Sequence, residues 1–170
     1  MDAFEQDGID QFLTFRLADE VYGISVANIK EVLGVPRMTR VPRMPDFMNG
    51  VINLRGNVVP VLDLRLKFGL GATPITADTS IIVTEINNIF EDDESEGFTV
   101  GIFSDMVLKV VTLETRQIEP PPKIGVSIDT SFITGMGRLD EGFVIILNIN
   151  KLLSAKELLT RSAAVEAGHE

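Results

Sequence analysis

Histidine and cysteine, two side chains that carry much of enzyme chemistry, are nearly missing from this chain of 170 residues. It contains no cysteine, and its one histidine, His169, lies in a polar C-terminal tail. Catalytic triads and metal centres are usually built from histidine, cysteine and clustered carboxylates, so we expect no metal site and no cofactor. The sequence therefore predicts that the protein is not an enzyme.

Three other features could carry chemistry, and each has a simpler interpretation. Asp63 follows an apolar strand, and we interpret it as a structural carboxylate that hydrogen-bonds the neighbouring turn. Residues 69–74 begin like a dinucleotide loop, but they lack its third glycine and end in a proline. The acidic run 91–96 lacks the glycine and the spacing of an EF-hand, which leaves calcium binding as a minor alternative. Binding is the function class that remains.

Charge and hydropathy limit the partners of such a binding protein. The formal net charge of −10 argues against nucleic acid, which requires clustered lysine and arginine. No apolar run approaches the roughly 20 residues of a membrane span, and the acidic N-terminus does not resemble a signal peptide. We therefore expect a cytoplasmic protein that does not insert directly into a membrane.

Residues 45–64 form the clearest structural element in the sequence. They predict two apolar strands around a tight turn at residues 54–56, with Gly56 and Asn57 suited to a backbone of positive φ. Arg55 places a cation at the tip of this turn. A solvated turn residue is the simple interpretation of Arg55, because loops are exposed anyway.

The remaining elements predict an all-β fold with short helices at residues 26–32 and 64–70. Residue pairs such as Phe12 and Phe98, or Gly56 and Gly142, recur at an offset of about 86 residues. We interpret this recurrence as two related β subdomains, each a barrel of about five strands. A flexible lead-in at 1–10 and a C-terminal helix with a frayed tail at 155–170 are expected to flank them.

The proline-rich segment after residue 35 suggests a docking surface. Val35, Met38, Met44 and Met48 are difficult to bury together in a small barrel, and methionine adapts well to interfaces that repack. Glu31 and Arg55 lie near this segment along the chain, and such charges set register and partner choice.

Six segments between about residue 11 and residue 154 form a distinctive pattern, and they are 26–32, 44–45, 50–65, 103–111, 117–122 and 132–139. The most specific part is the Asn-Leu-Arg-Gly turn with the strand after it. Together these segments resemble the CheW family of bacterial chemotaxis adaptors.

This resemblance implies two five-stranded SH3-like barrels that share a hydrophobic centre. It also implies a scaffold that couples the cytoplasmic tip of methyl-accepting chemoreceptors to the regulatory domain of the histidine kinase CheA, in arrays at the inner face of the cytoplasmic membrane. The implied receptor-binding residues are Ile29, Glu31, Val32, Gly50, Val51 and Arg55. The kinase side transfers only loosely, to Val107 and Val110.

The departures from the family pattern leave alternatives open. Residues 103–105 stand where the family more often has a Val-Asp pair, and residues 91–97 lengthen a loop. An adaptor of a paralogous array, in twitching motility or non-motility signalling, is therefore the alternative. A CheW-like module of a kinase or of a receiver-linked protein comes next, although Met1 and the polar ends favour a free-standing chain.

Overall fold

The computed structural model describes residues 9–86, 97–121, 131–140 and 142–152. Two sequence predictions, the acidic loop at 91–96 and the C-terminal helix at 155–170, lie outside these ranges, as do residues 1–8 of the predicted lead-in. The first strand already begins at Ile9, so the last two residues of that lead-in belong to a sheet.

Strands dominate the described residues, and this confirms the all-β prediction. The strands are β1 (Ile9–Leu17), β2 (Glu20–Ser25), β3 (Ile29–Gly34), β4 (Met48–Leu54), β5 (Asn57–Leu62), β6 (Ser80–Ile86), β7 (Phe98–Ser104), β8 (Met106–Glu114), β9 (Ile118–Glu119), β10 (Ile133–Leu139) and β11 (Gly142–Leu147). The helices within the described ranges are α1 (Leu64–Lys67) and three single turns of 3₁₀ helix at Val26–Asn28, Thr115–Gln117 and Ile149–Lys151.

The strands form two sheets, and each sheet takes strands from both halves of the chain. One sheet has six strands in the order β8-β1-β2-β11-β10-β9, and the other has five in the order β3-β6-β7-β5-β4. The sixth strand, one more than predicted, arises because the two-residue β9 pairs with β10. Two parallel contacts, β2 with β11 and β5 with β7, join the halves within the sheets.

Both sheets curl until their opposite edges meet. In the five-stranded sheet, the chain leaving β3 reaches β4, where Thr39 and Val51 exchange two backbone hydrogen bonds of 2.9 and 2.8 Å. In the six-stranded sheet, the chain leaving β8 reaches β10 through β9, with Glu119 opposite Met136. Contact between the two edges of one curled sheet is the closure of a small barrel.

The largest buried apolar cluster, which we call the central cluster, combines residues of both sheets, as the predicted shared centre requires. Phe15 and Leu17 come from the six-stranded sheet, and Leu62 and Ile82 from the five-stranded one. Its buried members are Leu13, Phe15, Leu17, Tyr22, Ile24, Met48, Leu62, Leu64, Ile82, Ile86, Val100, Ile102, Leu147, Ile149 and Leu152.

A second cluster fills the interior of the five-stranded barrel, and we call it the inner cluster. It consists of Ile52, Val59, Val61, Ile81, Val83 and Phe103. Successive residues of a strand point to opposite faces, so β6 sends Ile81 and Val83 into the inner cluster and Ile82 into the central one. Burial on both faces explains why this strand is apolar without alternation.

The hairpins β4-β5 and β10-β11 share details that lie 85 residues apart. The amide of Asp63 donates to the carbonyl of Phe47 at 2.6 Å, and the amide of Asn148 donates to the carbonyl of Phe132 at 2.7 Å. Asp63 and Asn148 then cap α1 and the last 3₁₀ helix through their side chains. The duplication of the whole chain at an offset of about 86 residues stays a prediction.

The predicted helix at residues 26–32 was wrong beyond its first turn. Ser25 caps it as expected, accepting a hydrogen bond from the amide of Ala27, but the helix ends at Asn28. Ile29 and Val32 instead belong to β3, which pairs with β6. β-Branched residues favour strands, and an apolar spacing over so short a stretch does not identify a helix.

An ion pair that the sequence did not predict joins α1 to the turn between β7 and β8. Arg65 of α1 lies 3.0 Å from the carboxylate of Asp105 in the β7-β8 turn, and both side chains are mostly buried. The same carboxylate oxygen accepts a hydrogen bond of 2.7 Å from the amide of Ala18, which has a φ of 55° in the β1-β2 turn. Asp105 thereby holds three elements together.

Val61 provides a direct test of the core. Its side chain is fully buried, and its backbone lies between β4 and β7. We expect Val61→Ala to reduce the free energy of unfolding by about 1–3 kcal/mol, because it removes two methyl groups from the inner cluster. Urea unfolding measures the change. Val58→Ala is the matched control on the same strand, since Val58 is 49% exposed, and it should cost less than about 0.5 kcal/mol. Equal losses in the two variants would contradict the position assigned to Val61.

Candidate functional site

The turn that carries Arg55 has the geometry of a tight two-residue hairpin. Arg55 and Gly56 have φ values of 51° and 85°, and Leu54 pairs with Asn57 across the turn. Two consecutive residues of positive φ form a type I′ turn, which matches the natural twist of paired strands. The prediction of positive φ was right for Gly56, but the second such residue is Arg55, because Asn57 already belongs to β5.

Arg55 forms a bidentate ion pair with Glu31 of β3. Its two terminal nitrogens lie 2.7 and 3.0 Å from the two carboxylate oxygens. The hydrogen bond to Glu31, with the charge of that carboxylate, raises the pKa of Arg55 above its ordinary value. The Arg55 side chain is 71% exposed, whereas Glu31 is 29% exposed. The pair therefore fixes the direction of the guanidinium and leaves it accessible to a partner.

A shallow cleft of about 320 Å³ lies beside this ion pair. Strands β5 and β7 pair in parallel only at Val61 and Leu62. The cleft lies where the residues that precede these pairs along the chain, 57–60 and 97–99, form no backbone pairing with each other. Val58 and Phe98 contribute apolar surface, and the ammonium of Lys30 donates to the hydroxyl of Thr99 at 3.1 Å. A shallow cleft with both apolar and charged surface is better suited to bind a protein side chain than a small metabolite.

The structure places the six predicted receptor-binding residues on β3, on β4 and in the β4-β5 turn, which are the two edge strands of the five-stranded sheet and the turn between β4 and β5, at different depths. Glu31, Val32 and Arg55 reach the surface, with Val32 42% exposed. Ile29 packs partly against the central cluster, and Val51 is half-buried beside Thr39.

Gly50, the sixth of these residues, is buried under the chain that closes the barrel. A Cβ atom at this position would lie 2.6 Å from the carbonyl oxygen of Thr39, which is too close for any side chain. Glycine is therefore required here by the approach of two backbones. Its local role is to let Thr39 reach Val51.

The two residues predicted for the kinase side lie on β8, an edge strand of the six-stranded sheet. Val107 pairs with Phe15 of β1 and packs partly against the central cluster. Val110 is 50% exposed, and the neighbouring Leu108 is 38% exposed. The accessible apolar surface of β8 is therefore centred on Val110.

Asp63 has the structural role that the sequence predicted. Its carboxylate accepts hydrogen bonds from the amide and the hydroxyl of Thr73, at 2.9 and 2.7 Å, and caps α1 through the amide of Arg65 at 3.1 Å. The side chain is 1% exposed and engaged on both oxygens. It is not available as a general base.

The methionine-rich docking surface that the sequence suggested is wrong. Val35 and Met38 pack against the inner cluster, Met44 packs against the central cluster, and Met48 is only 5% exposed. Met48 is buried and the other three residues are half-buried because the segment closes the barrel, a long-range contact that local sequence does not reveal.

Neither a metal-binding cluster nor a membrane-spanning helix is found among the described residues. No group of three or more histidine, cysteine, aspartate or glutamate side chains in this part of the chain is placed to hold a metal ion. Among the same residues, no helix is long and apolar enough to cross a membrane.

Two closed β barrels with a shared core, a charged turn held in one orientation and a shallow mixed cleft define a protein-interaction domain. A family model described as the CheW-like domain matches residues 11–157. With this match over most of its length, the chain belongs to the CheW family.

Individual relatives agree with this family. Chemotaxis protein CheW of Klebsiella aerogenes is 38% identical over 148 residues, which cover 87% of this chain and 84% of that protein. Chemotaxis protein CheW of Helicobacter pylori is 34% identical, covering 88% and 84%. The crystal structure of the scaffolding protein TtCheW from Thermoanaerobacter tengcongensis matches with a TM-score of 0.74 at 33% identity, covering 87% and 90%.

The close approach of Thr39 to Gly50 predicts that any side chain at position 50 lowers the stability of the protein. We expect Gly50→Ala to reduce the free energy of unfolding by about 2 kcal/mol, because the backbone of Thr39 has to move away from the added methyl group. Gly34→Ala is the matched control, since Gly34 lies at the end of an edge strand with open space around its Cβ position. Urea unfolding of both variants measures the difference. If Gly50→Ala were as stable as Gly34→Ala, barrel closure would not depend on this glycine.

Proposed function

We propose that this protein is a scaffold of bacterial chemotaxis signalling that couples transmembrane chemoreceptors to a CheA-type histidine kinase. The single observation that carries the proposal is the match to the CheW-like domain over residues 11–157. The fold adds support, because its two barrels present separate surfaces on one rigid core. A scaffold needs at least two such surfaces, one for each partner.

The receptor surface consists of Glu31, Val32, Val51 and Arg55. It binds the cytoplasmic tip of a methyl-accepting chemoreceptor, a helical hairpin in this family. Val32 and Val51 supply apolar contact, and the oriented guanidinium of Arg55 supplies a directional donor for a carboxylate or a carbonyl. Ile29 and Gly50 act from beneath, since they support β3 and β4 at the positions where these strands meet the partner.

The kinase surface lies on β8, around Val110. Its support is the exposure of Val110 and Leu108 on a strand that pairs on one side only within the described sheet. An exposed apolar strand at a sheet edge is costly unless a partner covers it. The regulatory domain of CheA is the partner that we assign to this strand. Val107 packs against the central cluster and so holds β8 in place from its inner side.

The proposed scaffold acts by binding alone and has no catalytic activity of its own. It works in the cytoplasm and is recruited to receptor arrays at the inner face of the cytoplasmic membrane by its partners. A paralogous array in twitching motility or non-motility signalling is not favoured, because the relatives of Klebsiella aerogenes and Helicobacter pylori are both named chemotaxis proteins.

Calorimetry with separate partners tests this proposal. The purified chain is titrated with the regulatory domain of a CheA kinase, and in a second experiment with a receptor-tip fragment from the same cell. Binding to each partner, and to both at once, is the expected result. If the chain failed to bind one or both of these partners, the proposed function would be overturned and the family assignment would be unchanged.

Reversing the charge of Arg55 separates binding from folding. We expect Arg55→Glu to weaken receptor-tip binding by about tenfold or more, since arginine residues often dominate binding energy at interfaces. The thermal midpoint should change by no more than a few degrees, because exposed ion pairs contribute little to stability. Calorimetry and thermal unfolding measure the two effects.

Arg116→Glu is the matched control for this variant. Arg116 is also exposed and also paired with a neighbouring carboxylate, that of Glu114, but it lies in the 3₁₀ helix that follows β8 of the other sheet. It should leave receptor binding unchanged. A loss of stability in Arg55→Glu as large as that of a core truncation, or equal losses of binding in both variants, would contradict the role of Arg55.

A further inference from the structure

The segment that closes the five-stranded barrel carries three arginines, Arg37, Arg40 and Arg43, which we call the arginine strip. We propose that the arginine strip extends the receptor surface and selects receptor tips whose docking helix carries carboxylates. This inference rests on the proposed function and identifies the kind of receptor helix that the scaffold prefers.

Burial along this segment repeats every third residue. Val35, Met38, Val41 and Met44 are half-buried, and the two residues between each pair of them are exposed. The exposed residues include all three arginines, which therefore lie on the solvent side of the segment. On the extended part of the segment, before the turn at residues 42–43, Arg37 and Arg40 lie about 9 Å apart, because such a chain rises about 3.1 Å per residue.

The arginine strip has no carboxylate of its own among the described residues. There, Arg55, Arg65, Arg116 and Arg138 each form an ion pair with a carboxylate. Arg37, Arg40 and Arg43 are exposed and form no ion pair with any described residue. In a chain with a net charge of −10, this grouping concentrates in one place three positive charges that no described carboxylate neutralises by an ion pair. Its electrostatic complement is an acidic partner.

The arginine strip is continuous with the receptor surface. Thr39, which lies between Arg37 and Arg40, is hydrogen-bonded to Val51. The Cα atom of Arg40 lies 3.5 Å from the point that a Cβ atom of Gly50 would occupy. A partner that covers Val51 therefore also passes over the strip. Arg43, with a φ of 64°, ends the strip at the turn before β4.

The spacing of the strip indicates the form of the partner. Two turns of an α-helix advance about 11 Å, close to the distance of about 9 Å between Arg37 and Arg40. A helix with carboxylates at positions i and i+7 on one face could therefore pair with two arginines at once. Guanidinium groups bind carboxylates in a bidentate manner, which makes such contacts directional as well as attractive.

The test compares two triple variants of equal charge in calorimetric titrations with the receptor-tip fragment. The strip variant is Arg37→Gln/Arg40→Gln/Arg43→Gln, and the control variant is Arg16→Gln/Arg116→Gln/Lys151→Gln, which removes three exposed cations elsewhere. At about 50 mM salt we expect the strip variant to lose about tenfold or more in affinity and the control variant less than about threefold. At about 300 mM salt the difference should shrink, because salt screens exposed charges.

A second arm changes the partner. A receptor-tip fragment whose surface glutamates on the docking face are replaced by glutamine should bind the wild-type chain more weakly. The strip variant should lose nothing further with this fragment, as expected for directly interacting groups in a double-mutant cycle. Equal losses of affinity in the strip and control variants, or full additivity in the cycle, would overturn the inference.

The outcomes also separate this inference from the proposed function. If Arg55→Glu weakened receptor binding while the strip variant bound like the wild type, only the inference about the strip would fail. If the wild-type chain bound no receptor tip, both would fail. If the strip variant kept its receptor affinity but lost binding to phosphatidylcholine vesicles containing phosphatidylserine, the strip would be a lipid contact, and the inference would again be overturned.

Discussion

Two backbone hydrogen bonds between Thr39 and Val51 close the five-stranded barrel, and the candidate receptor surface depends on that closure. The contact is possible because Gly50 has no side chain where the carbonyl of Thr39 passes. Closure brings the opposite edges of the sheet together, so the β4-β5 turn lies within reach of β3 and Arg55 can pair with Glu31. It also directs the residues between β3 and β4 across the barrel, with their apolar side chains inward and their arginines outward. One close backbone approach therefore positions both the charged pair and the strip.

The two barrels cannot fold as independent halves of the chain, because each sheet contains strands from both. β1 and β2 lie in the six-stranded sheet with β8 to β11, whereas β7 of the second half lies between β6 and β5 of the first half. The central cluster fills the space between the sheets, and Asp105 joins the β1-β2 turn, the β7-β8 turn and α1. A surface on one barrel is therefore held rigidly relative to a surface on the other. For a scaffold, this fixes the relative orientation of two partners without a hinge.

The sequence predicted local features well and long-range features poorly. The hairpin at residues 45–64, its turn and the cap at Asp63 were predictable, because strand composition, turn glycine and a capping carboxylate act between near neighbours. The helix at residues 26–32 failed because pairing with β6, about 50 residues away along the chain, decides that segment. The burial of Met38 and Met48 failed for the same reason, since it depends on barrel closure. Of the six predicted receptor residues, the sequence did not reveal that Gly50 is buried while Val32 is exposed.

This arrangement separates the residues that make the fold from those that select a partner. Glycine and apolar residues close the barrel and fill its core, where a change of one methyl group affects stability. The charged residues that face the partner, Arg55 and the strip arginines, are exposed, where charge contributes more to specificity and association rate than to stability. Substitution in the second group can therefore change partner preference while the fold is kept. A scaffold that must discriminate among several related receptors requires that partner preference can change without loss of stability. In the segment between β3 and β4 this is possible because the apolar side chains face the core and the arginines face solvent.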